Sequence, residues 1–345
     1  MLGTGAVLRR AYVRYARTCR AGVVAPFPQW KRWLVLRSGG KWPIETTVTV
    51  IPTASSPAIS HVKVGKQDIL RVGQQLPASP RIFSRLAAVL KDLNTGVDQV
   101  VGLVKMDPGM SAQVIRLSNS VLFGFAEPST SLEESINRVG FREVYRLVGL
   151  AATNQLFPKE LTLYAVRGDL VWENSLASAL SMERIARSQG LEDEQAAYTI
   201  GLLRSAGKVL FTRLAAQPGV KVAPYPGPEM EPHLGDWERG IFGMDSPEAA
   251  SELMEHWKFD PTIRLAIRHQ YDPLVAADAP AEASMLNCAG WIVHQLGKSL
   301  PGEAAYWRRD PAKCEKAGIM PEVLDALVEE VNTELSVLKS AVSLA

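Results

Sequence analysis

The sequence lacks any long apolar run, so none of its 345 residues form a segment typical of a membrane-spanning helix. Such a helix needs roughly 18 to 20 consecutive apolar residues. The longest run near the start covers only residues 33–36 and is flanked by Lys31, Arg32 and Arg37. Hydrophobic residues make up 47% of the chain, which is enough for a sizeable core. We therefore expect a cytoplasmic protein with no membrane span.

Cysteine is scarce, and the common catalytic motifs are absent. Cys19, Cys288 and Cys314 are odd in number and show no Cys-x-x-Cys spacing. This pattern argues against a disulfide framework and a zinc site and fits a reducing compartment. The sequence also has no Gly-rich phosphate loop, no Gly-x-Ser-x-Gly elbow and no His-Glu-x-x-His motif. We expect thiols without a function and no enzyme of those motif-bearing classes.

Acidic residues are almost missing from the N-terminal part. Residues 1–45 hold nine Lys or Arg and a single acid, Glu45, so their net charge is +8 and that of the remaining chain is −6. A mildly acidic body argues against nucleic-acid binding, which requires a basic face. The basic, Pro-interrupted composition of residues 1–68 predicts a poorly ordered extension. An organellar transit peptide and a membrane-surface helix are the alternatives.

Caps and prolines beyond residue 68 predict a series of helices. Ser79-Pro80 and Asp107-Pro108 each place a capping side chain before a first-turn proline. The second of these helices is predicted to end at Gly124.

The next helix carries its own start and stop signals. Ser131 and Glu134 form a capping box, and Gly140 suits the helix end. Asn119 and Ser120 lie before it, near the end of the preceding helix. Because Asn and Ser commonly bind helix termini and loops, we favour that role for them over contact with a ligand or partner.

A pair of helices joined by a tight turn is predicted over residues 172–211. In the first, apolar residues at helical spacing precede a stop at Gly190. The second carries the buried stripe Ala196, Ala197, Ile200, Leu203 and Leu210.

Several motifs in this order carry a family resemblance. They are Leu-Pro-x-x-Pro at residues 76–80, Asp-Pro followed by Asn-Ser at 107–120, Ser-Leu-x-x-Ser-Ile-x-x-x-Gly at 131–140, and the helix pair with Trp-x-x-Ser-Leu-Ala and Ala-x-x-x-Gly-Leu-Leu-x-x-x-Gly-Lys. Together they resemble the HDOD domain, a relative of the HD superfamily of metal-dependent phosphohydrolases. The resemblance implies an all-α, two-lobed domain over residues 69–275 with an HD-like helical core. Residues 276–345 are predicted to form a helical extension that packs on it.

In enzymes of the HD superfamily, His and Asp side chains on facing helices hold a divalent metal. The matching positions in this sequence are Asn174, Arg204, Ser205, Ser246, Gln270 and Gly290. Only His269 remains from the ligand pattern, and one His cannot hold a catalytic metal because three or more protein ligands are normal. Arg204 places a permanent positive charge where a cation would bind. We therefore predict no metal, no cofactor and no catalytic residue.

The resemblance implies a role in bacterial signal transduction, and the missing ligands imply that this role is not catalytic. We predict an output or adaptor module that contacts a sensor kinase, a response regulator or a cyclic-di-nucleotide enzyme. The stripe over residues 321–338 is consistent with a homodimer or partner helix, although packing on its own body is favoured.

An alternative function is a metal-free sensor in which Arg204, His269 and Asn174 bind the phosphate of a nucleotide. We favour instead an internal salt bridge from Arg204 to Asp245 or Glu173. Residual phosphohydrolase activity is the least favoured function.

Overall fold

The computed structural model describes residues 64–344 except 121, 126 and 228–232, and it describes the side chains only up to residue 340. Most of the predicted N-terminal extension, residues 1–68, lies outside this part. Its last residues already belong to the packed body, because Val64 is buried and its N–H donates to the Phe242 carbonyl over 2.9 Å. The first described helix begins at Lys66.

The described chain is all-α, as predicted, apart from one two-residue hairpin. The N-terminal helices are α1 (Lys66–Gln74), α2 (Ser79–Val89), α3 (Val97–Val104), α4 (Pro108–Ser118) and α5 (Leu132–Leu156). Helices α2, α3 and α4 all pack on α5. Strands β1 (Glu160–Leu161) and β2 (Val166–Arg167) then pair antiparallel, with Leu161 opposite Val166.

The second group of helices follows the hairpin. It comprises α6 (Gly168–Ser188), α7 (Glu194–Leu203), α8 (Ala206–Ala215), α9 (Leu234–Phe242), α10 (Ser246–His256), α11 (Pro261–Arg268) and α12 (Ala281–Gln295), followed by α13 (Pro311–Ala317) and α14 (Pro321–Leu344). Helix α6 packs on α7, α12 and α14, and α10 packs on α8 and α11. Within the described residues, no helix is both long and apolar enough to cross a membrane.

The local signals before α5 are partly confirmed. Asp107 caps α4 by accepting the N–H of Met110 over 2.9 Å. This helix ends at Ser118, earlier than the predicted Gly124. The backbone of Gly140 leaves the helical conformation inside α5, with φ 80°, so the predicted stop is a break within one longer element.

The sequence predicts one continuous second helix in the central pair, and this prediction is wrong. The structure has two helices there, α7 and α8, which are separated at Arg204 and Ser205. Close backbone contacts lie on both sides of the break. A Cβ atom on Gly201 would lie 2.4 Å from the Ser178 carbonyl oxygen, and one on Gly207 would lie 1.9 Å from that of Ser246. Glycine therefore lets α7 approach α6 and lets α8 approach α10.

Helix α14 contributes its apolar stripe to the common core. Leu324, Val331 and Leu335 are each at most 3% exposed, and the helix packs on α6 and α12. Glu334 forms ion pairs with Arg146 of α5 and Arg184 of α6. The stripe predicted over residues 321–338 thus faces this body.

Candidate functional site

The guanidinium of Arg204 is buried at the break between α7 and α8, where all its donors have protein acceptors. Its Nε lies 3.1 Å from Ser178 Oγ, its Nη1 lies 3.1 Å from Gln270 Oε1, and its Nη2 lies 2.7 Å from Asn174 Oδ1. The carboxylate of Glu303 accepts the two remaining N–H groups, from Nη1 over 3.3 Å and from Nη2 over 2.6 Å. The five N–H donors of this side chain are therefore all used.

The predicted salt-bridge partners of Arg204 are wrong, because the carboxylate that pairs with it belongs to Glu303. Asp245 instead caps α10, and Glu173 pairs with Lys298 at 2.6 Å. The side chains of Arg204 and Glu303 are 1% and 0% exposed. Both charges are removed from water, so the folded state would be destabilised if either one were left without the other.

Lys208, one turn further along in α8, adds a second buried cation. Its Nζ lies 3.2 Å from Glu303 Oε1 and 3.6 Å from Glu238 Oε1. The same ammonium donates to Ser246 Oγ over 3.1 Å and to the hydroxyl of Tyr271 over 3.0 Å. The four charged side chains Arg204, Lys208, Glu238 and Glu303 are called the buried ion-pair network below.

Burial acts differently on the two carboxylates of the network. Burial would raise the pKa of Glu303, but the charges and hydrogen bonds of Arg204 and Lys208 together hold it below the ordinary value. Burial raises the pKa of Glu238, and neither Lys208 nor the hydrogen bonds from Ser246 N–H and the Tyr164 hydroxyl offset this. Glu303 is therefore the strongly anionic member of the network.

Two tyrosine hydroxyls complete the polar surroundings. The hydroxyl of Tyr164 donates to Glu238 over 2.7 Å, and that of Tyr271 donates to Glu303 over 3.1 Å. Burial and then the adjacent carboxylates raise the pKa of both tyrosines well above the usual value. Both phenols therefore stay protonated and act as donors to the carboxylates.

The pocket around the network is closed by aromatic side chains from beyond α12. Trp307 is 1% exposed, and its ring centre lies 5.1 Å from Arg204 Cζ. Tyr306 stacks on Tyr271, with ring centres 4.1 Å apart. A Cβ atom on Gly290 would lie 2.5 Å from the Trp307 ring, so the position that the resemblance assigns to a carboxylate has no room for a side chain.

Two residues that the sequence placed at the site, Ser205 and His269, form no side-chain hydrogen bond to the network among the described contacts. Ser205 is buried, and its Oγ has no hydrogen-bond partner in the described part of the chain. The Nε2 atom of His269 lies 3.3 Å from Asp278 Oδ1, in the loop after α11. Among the described contacts no hydrogen bond joins His269 to Arg204. A hydrogen bond thus joins Arg204 to Asn174, whereas His269 is placed beside Asp278.

The signature residues of the N-terminal half have structural contacts. Asn119 donates from Nδ2 to the Ser129 carbonyl over 2.8 Å and accepts the Ser129 N–H over 2.7 Å. The Asn119 side chain therefore binds the following loop, which is one part of the role that the sequence favours for it. The Oγ of Ser120 has no hydrogen-bond partner among residues 64–344 as described. Asp107 also accepts the hydroxyl of Ser79 over 3.1 Å, which ties α4 to the start of α2.

The side chains of this pocket do not fit the divalent metal that the HD superfamily holds. Divalent cations bind imidazole and carboxylate ligands. The pocket instead presents a guanidinium, an ammonium, amides and hydroxyls, and both carboxylates of the network already lie against cations. No cluster of three or more His, Cys, Asp or Glu suited to a metal occurs within the described ranges.

The pKa values of Glu238 and Glu303 are shifted in opposite directions, so the two residues change the stability of the protein with pH in opposite ways. The variant Glu238→Gln isolates the contribution of Glu238. Glu238 has a raised pKa, so its contribution to stability is complete below the unfolded value of about 4.3 and is lost as pH rises through the folded value. We expect Glu238→Gln to gain stability relative to the wild type as pH rises from about 4 to 8. Urea unfolding at several pH values measures the difference.

Glu255→Gln provides the matched control for this pH series. Glu255 lies on the surface beside Lys66, and its pKa is lowered by that ammonium. Its variant should therefore show no relative gain with rising pH. A stability difference between Glu238→Gln and the wild type that is independent of pH would contradict the prediction.

The HDOD domain family model matches residues 76–273. This span is more than half of the chain, so the chain belongs to the HDOD domain family, as the sequence motifs predicted. The match ends before Glu303, Tyr306 and Trp307.

Solved structures share this fold. An HDOD domain protein of unknown function from Geobacter sulfurreducens superimposes with a TM-score of 0.59 at 18% identity, covering 80% of this chain and 97% of that chain. A candidate phosphohydrolase from Shewanella amazonensis SB2B gives 0.56 at 23% identity, covering 81% and 100%. A candidate signal transduction protein from Marinobacter aquaeolei VT8 gives 0.59 at 20% identity, covering 80% and 64%. Identities this low show the fold alone.

An uncharacterized protein from Treponema pallidum (strain Nichols) is 21% identical over 238 residues. The alignment covers 67% of this chain and 44% of that protein. The chain thus spans less than half the length of this relative.

The sequence did not reveal most of the network. Lys208 stands in the quoted Gly-Lys motif, but the sequence did not predict that Glu238 or Glu303 would contact it. Glu303 lies 99 residues from Arg204 along the chain. Its only signal is an acidic side chain in a short segment with two aromatic residues, Tyr306 and Trp307.

Proposed function

We propose that this chain is a bacterial signal-transduction output or adaptor module that acts through contact with another protein and not by phosphohydrolysis. The observation that supports it is the state of Arg204, whose five N–H donors are all bound to protein acceptors at the position of a superfamily metal ligand. A side chain that is already fully paired, buried and permanently charged cannot become a metal ligand.

Electrostatics supports the loss of metal binding further. Two unit charges 4 Å apart interact with about 4 kcal/mol at an effective dielectric constant near 20, so a divalent cation meets about twice that repulsion from each fixed cation. Arg204 and Lys208 both contact Glu303. A metal bound through Glu303 would lie close to both positive charges.

Membership of the HDOD family supports the signalling role, and so does the fold shared with the candidate signal transduction protein from Marinobacter aquaeolei VT8. The partner classes that fit this role are a sensor kinase, a response regulator and a cyclic-di-nucleotide enzyme. The alternative is a nucleotide sensor that binds phosphate through Arg204. Because every N–H donor of Arg204 is already bound, a phosphate would have to displace Glu303.

Metal analysis of the purified chain, combined with a phosphodiesterase assay in Mn²⁺, Mg²⁺ and Fe²⁺, tests the catalytic half of the proposal. We expect metal well below one equivalent and no turnover above the buffer rate. Glu303→Gln and the surface variant Glu255→Gln serve as a matched pair, because a metal bound through Glu303 would be lost only from the first. Stoichiometric metal that Glu303→Gln removes, together with turnover, would overturn the non-catalytic assignment.

Affinity capture from the native host tests the contact half. The full chain is used as bait against a tag-only control, and bound proteins are identified by mass spectrometry. We expect enrichment of a protein from one of the three partner classes. Repeated capture without any signalling protein would count against the adaptor role while leaving the metal result unchanged.

A further inference from the structure

A short segment after α12 supplies the anion of the buried ion-pair network. Residues 300–307 are called the C-terminal plug here, and they follow the last residue of the family match, 273. Leu300, Glu303 and Trp307 of this segment are each at most 2% exposed. The plug therefore inserts into the domain from outside the part of the chain that the family defines.

We propose that the pocket of Arg204 and Lys208 is a receptor for a carboxylate anion and that the C-terminal plug supplies its resident ligand, the Glu303 side chain. The inference goes beyond the proposed function, because it assigns the pocket a ligand chemistry. It shares with that function only the premise that the pocket is not a metal site.

The hydrogen bonds to Glu303 have the form expected for a carboxylate receptor. Arg204 binds both oxygens with its two terminal nitrogens, which is the bidentate, end-on pairing of a guanidinium with a planar carboxylate. Oε1 also contacts Lys208 Nζ at 3.2 Å and accepts the Tyr271 hydroxyl over 3.1 Å. Four donors from three side chains thus converge on one carboxylate.

The charged side chains around Glu303 favour a ligand with a single negative charge. The receptor contains two cations, Arg204 and Lys208, while Glu238 lies 3.6 Å from the second. Without Glu303, the net formal charge of the network is +1. A carboxylate neutralises it, whereas a phosphate dianion would leave an excess negative charge in a buried site, which is costly.

The rest of the plug closes the pocket above the carboxylate. Tyr306 stacks on Tyr271, and Trp307 lies over Arg204. Gly302 has φ 79°, and a Cβ atom there would lie 2.6 Å from the Tyr225 hydroxyl, so the turn that presents Glu303 requires glycine. An external anion can reach the receptor only after this segment leaves.

Chemical rescue of Glu303→Ala tests the proposal. The substitution removes one CH₂ and one carboxylate, which is the composition of acetate less one methyl hydrogen. Acetate should therefore raise the melting temperature of Glu303→Ala saturably, by about 3–6 °C at ten times its Kd, relative to chloride at equal ionic strength. The wild type and Glu303→Gln, whose side chains fill the space, should show no such rise.

Other probes fix the ligand chemistry. Acetamide has the shape of acetate without the charge and should not rescue, formate should rescue less because it is smaller, and phosphate should rescue less than acetate. Arg204→Met in the Glu303→Ala background should abolish the acetate effect. Equal shifts in acetate, acetamide and chloride would overturn the receptor, and stronger rescue by phosphate would overturn the assignment to carboxylates.

Poor folding of Glu303→Ala would not remove the test. The variant is then refolded in acetate and in chloride of equal ionic strength, and soluble recovery is compared. Greater recovery in acetate supports the receptor, whereas equal recovery overturns it. The metal content and turnover of the wild type are measured separately, so failure of the rescue and failure of the proposed function remain distinguishable.

Discussion

Replacing Glu303 with Ala should lower the free energy of unfolding by about 3–5 kcal/mol, because it leaves buried cations without their counter-ion. Arg204 would lose the acceptor of two N–H donors, and Glu238 would be the anionic neighbour left to Lys208 among the described side chains. Water cannot readily compensate these charges, since the side chains of Arg204 and Lys208 are 1% and 2% exposed. The loss should therefore exceed that from any exposed ion pair in the molecule.

Urea unfolding followed by far-UV circular dichroism measures this effect. Glu330→Ala is the matched control, because Glu330 pairs with Arg184 at 3.2 Å while 50% exposed. Exposed pairs contribute about 0.2–1 kcal/mol, so the control should lose no more than that. If the two variants lose equal stability, the buried ion-pair network does not hold the C-terminal plug.

A double-mutant cycle separates the pair from its surroundings. Arg204→Met should also destabilise the protein, because it leaves Glu303 with fewer donors. The double variant Arg204→Met/Glu303→Ala should lose less stability than the two single variants together, by an interaction energy of about 0.5–3 kcal/mol. Strict additivity would show that the two charges stabilise the fold independently.

Helix ends were predictable where a local signal decides them. Asp107 accepts the N–H of Met110 in the first turn of α4, and Gly190 has φ 67° just after α6. The cap at Asp107 and the left-handed conformation of Gly190 both depend on a few neighbouring residues, so the residue types alone indicate these helix ends. The division between α7 and α8 has no such signal. The close contact next to it, between Gly207 and the backbone of Ser246, comes from another helix and cannot be read from the local sequence.

The location of the site was predictable, but its chemistry was only partly so. The family resemblance placed Asn174, Arg204 and Gln270 in one pocket, and hydrogen bonds join all three. The counter-ion was missed because Glu303 lies in a segment with no helical periodicity and far along the chain. Asp245, an acid nearer in sequence, is already occupied by α10 and Arg239.

Gly290→Asp should destabilise the protein by about 3 kcal/mol or more and should not create a metal site. The resemblance places an aspartate at this position, but even a Cβ atom there would lie 2.5 Å from the Trp307 ring. The indole cannot move aside easily, because it packs against Tyr271 and Tyr306 and over Arg204. Overpacking of a core costs about 1–3 kcal/mol, and an unpaired buried carboxylate adds to this cost.

Three further variants separate the causes of this loss. Gly102→Ala is the control, because nothing lies within 4 Å of its Cβ position in α3, and it should be neutral or stabilising by up to about 1 kcal/mol. Gly290→Ala tests the steric part alone, and it should cost less stability in a Trp307→Leu background than in the wild type, because the smaller side chain leaves room for the Cβ. A stable Gly290→Asp that binds one equivalent of metal would instead show that the pocket still accepts the superfamily's ligand set.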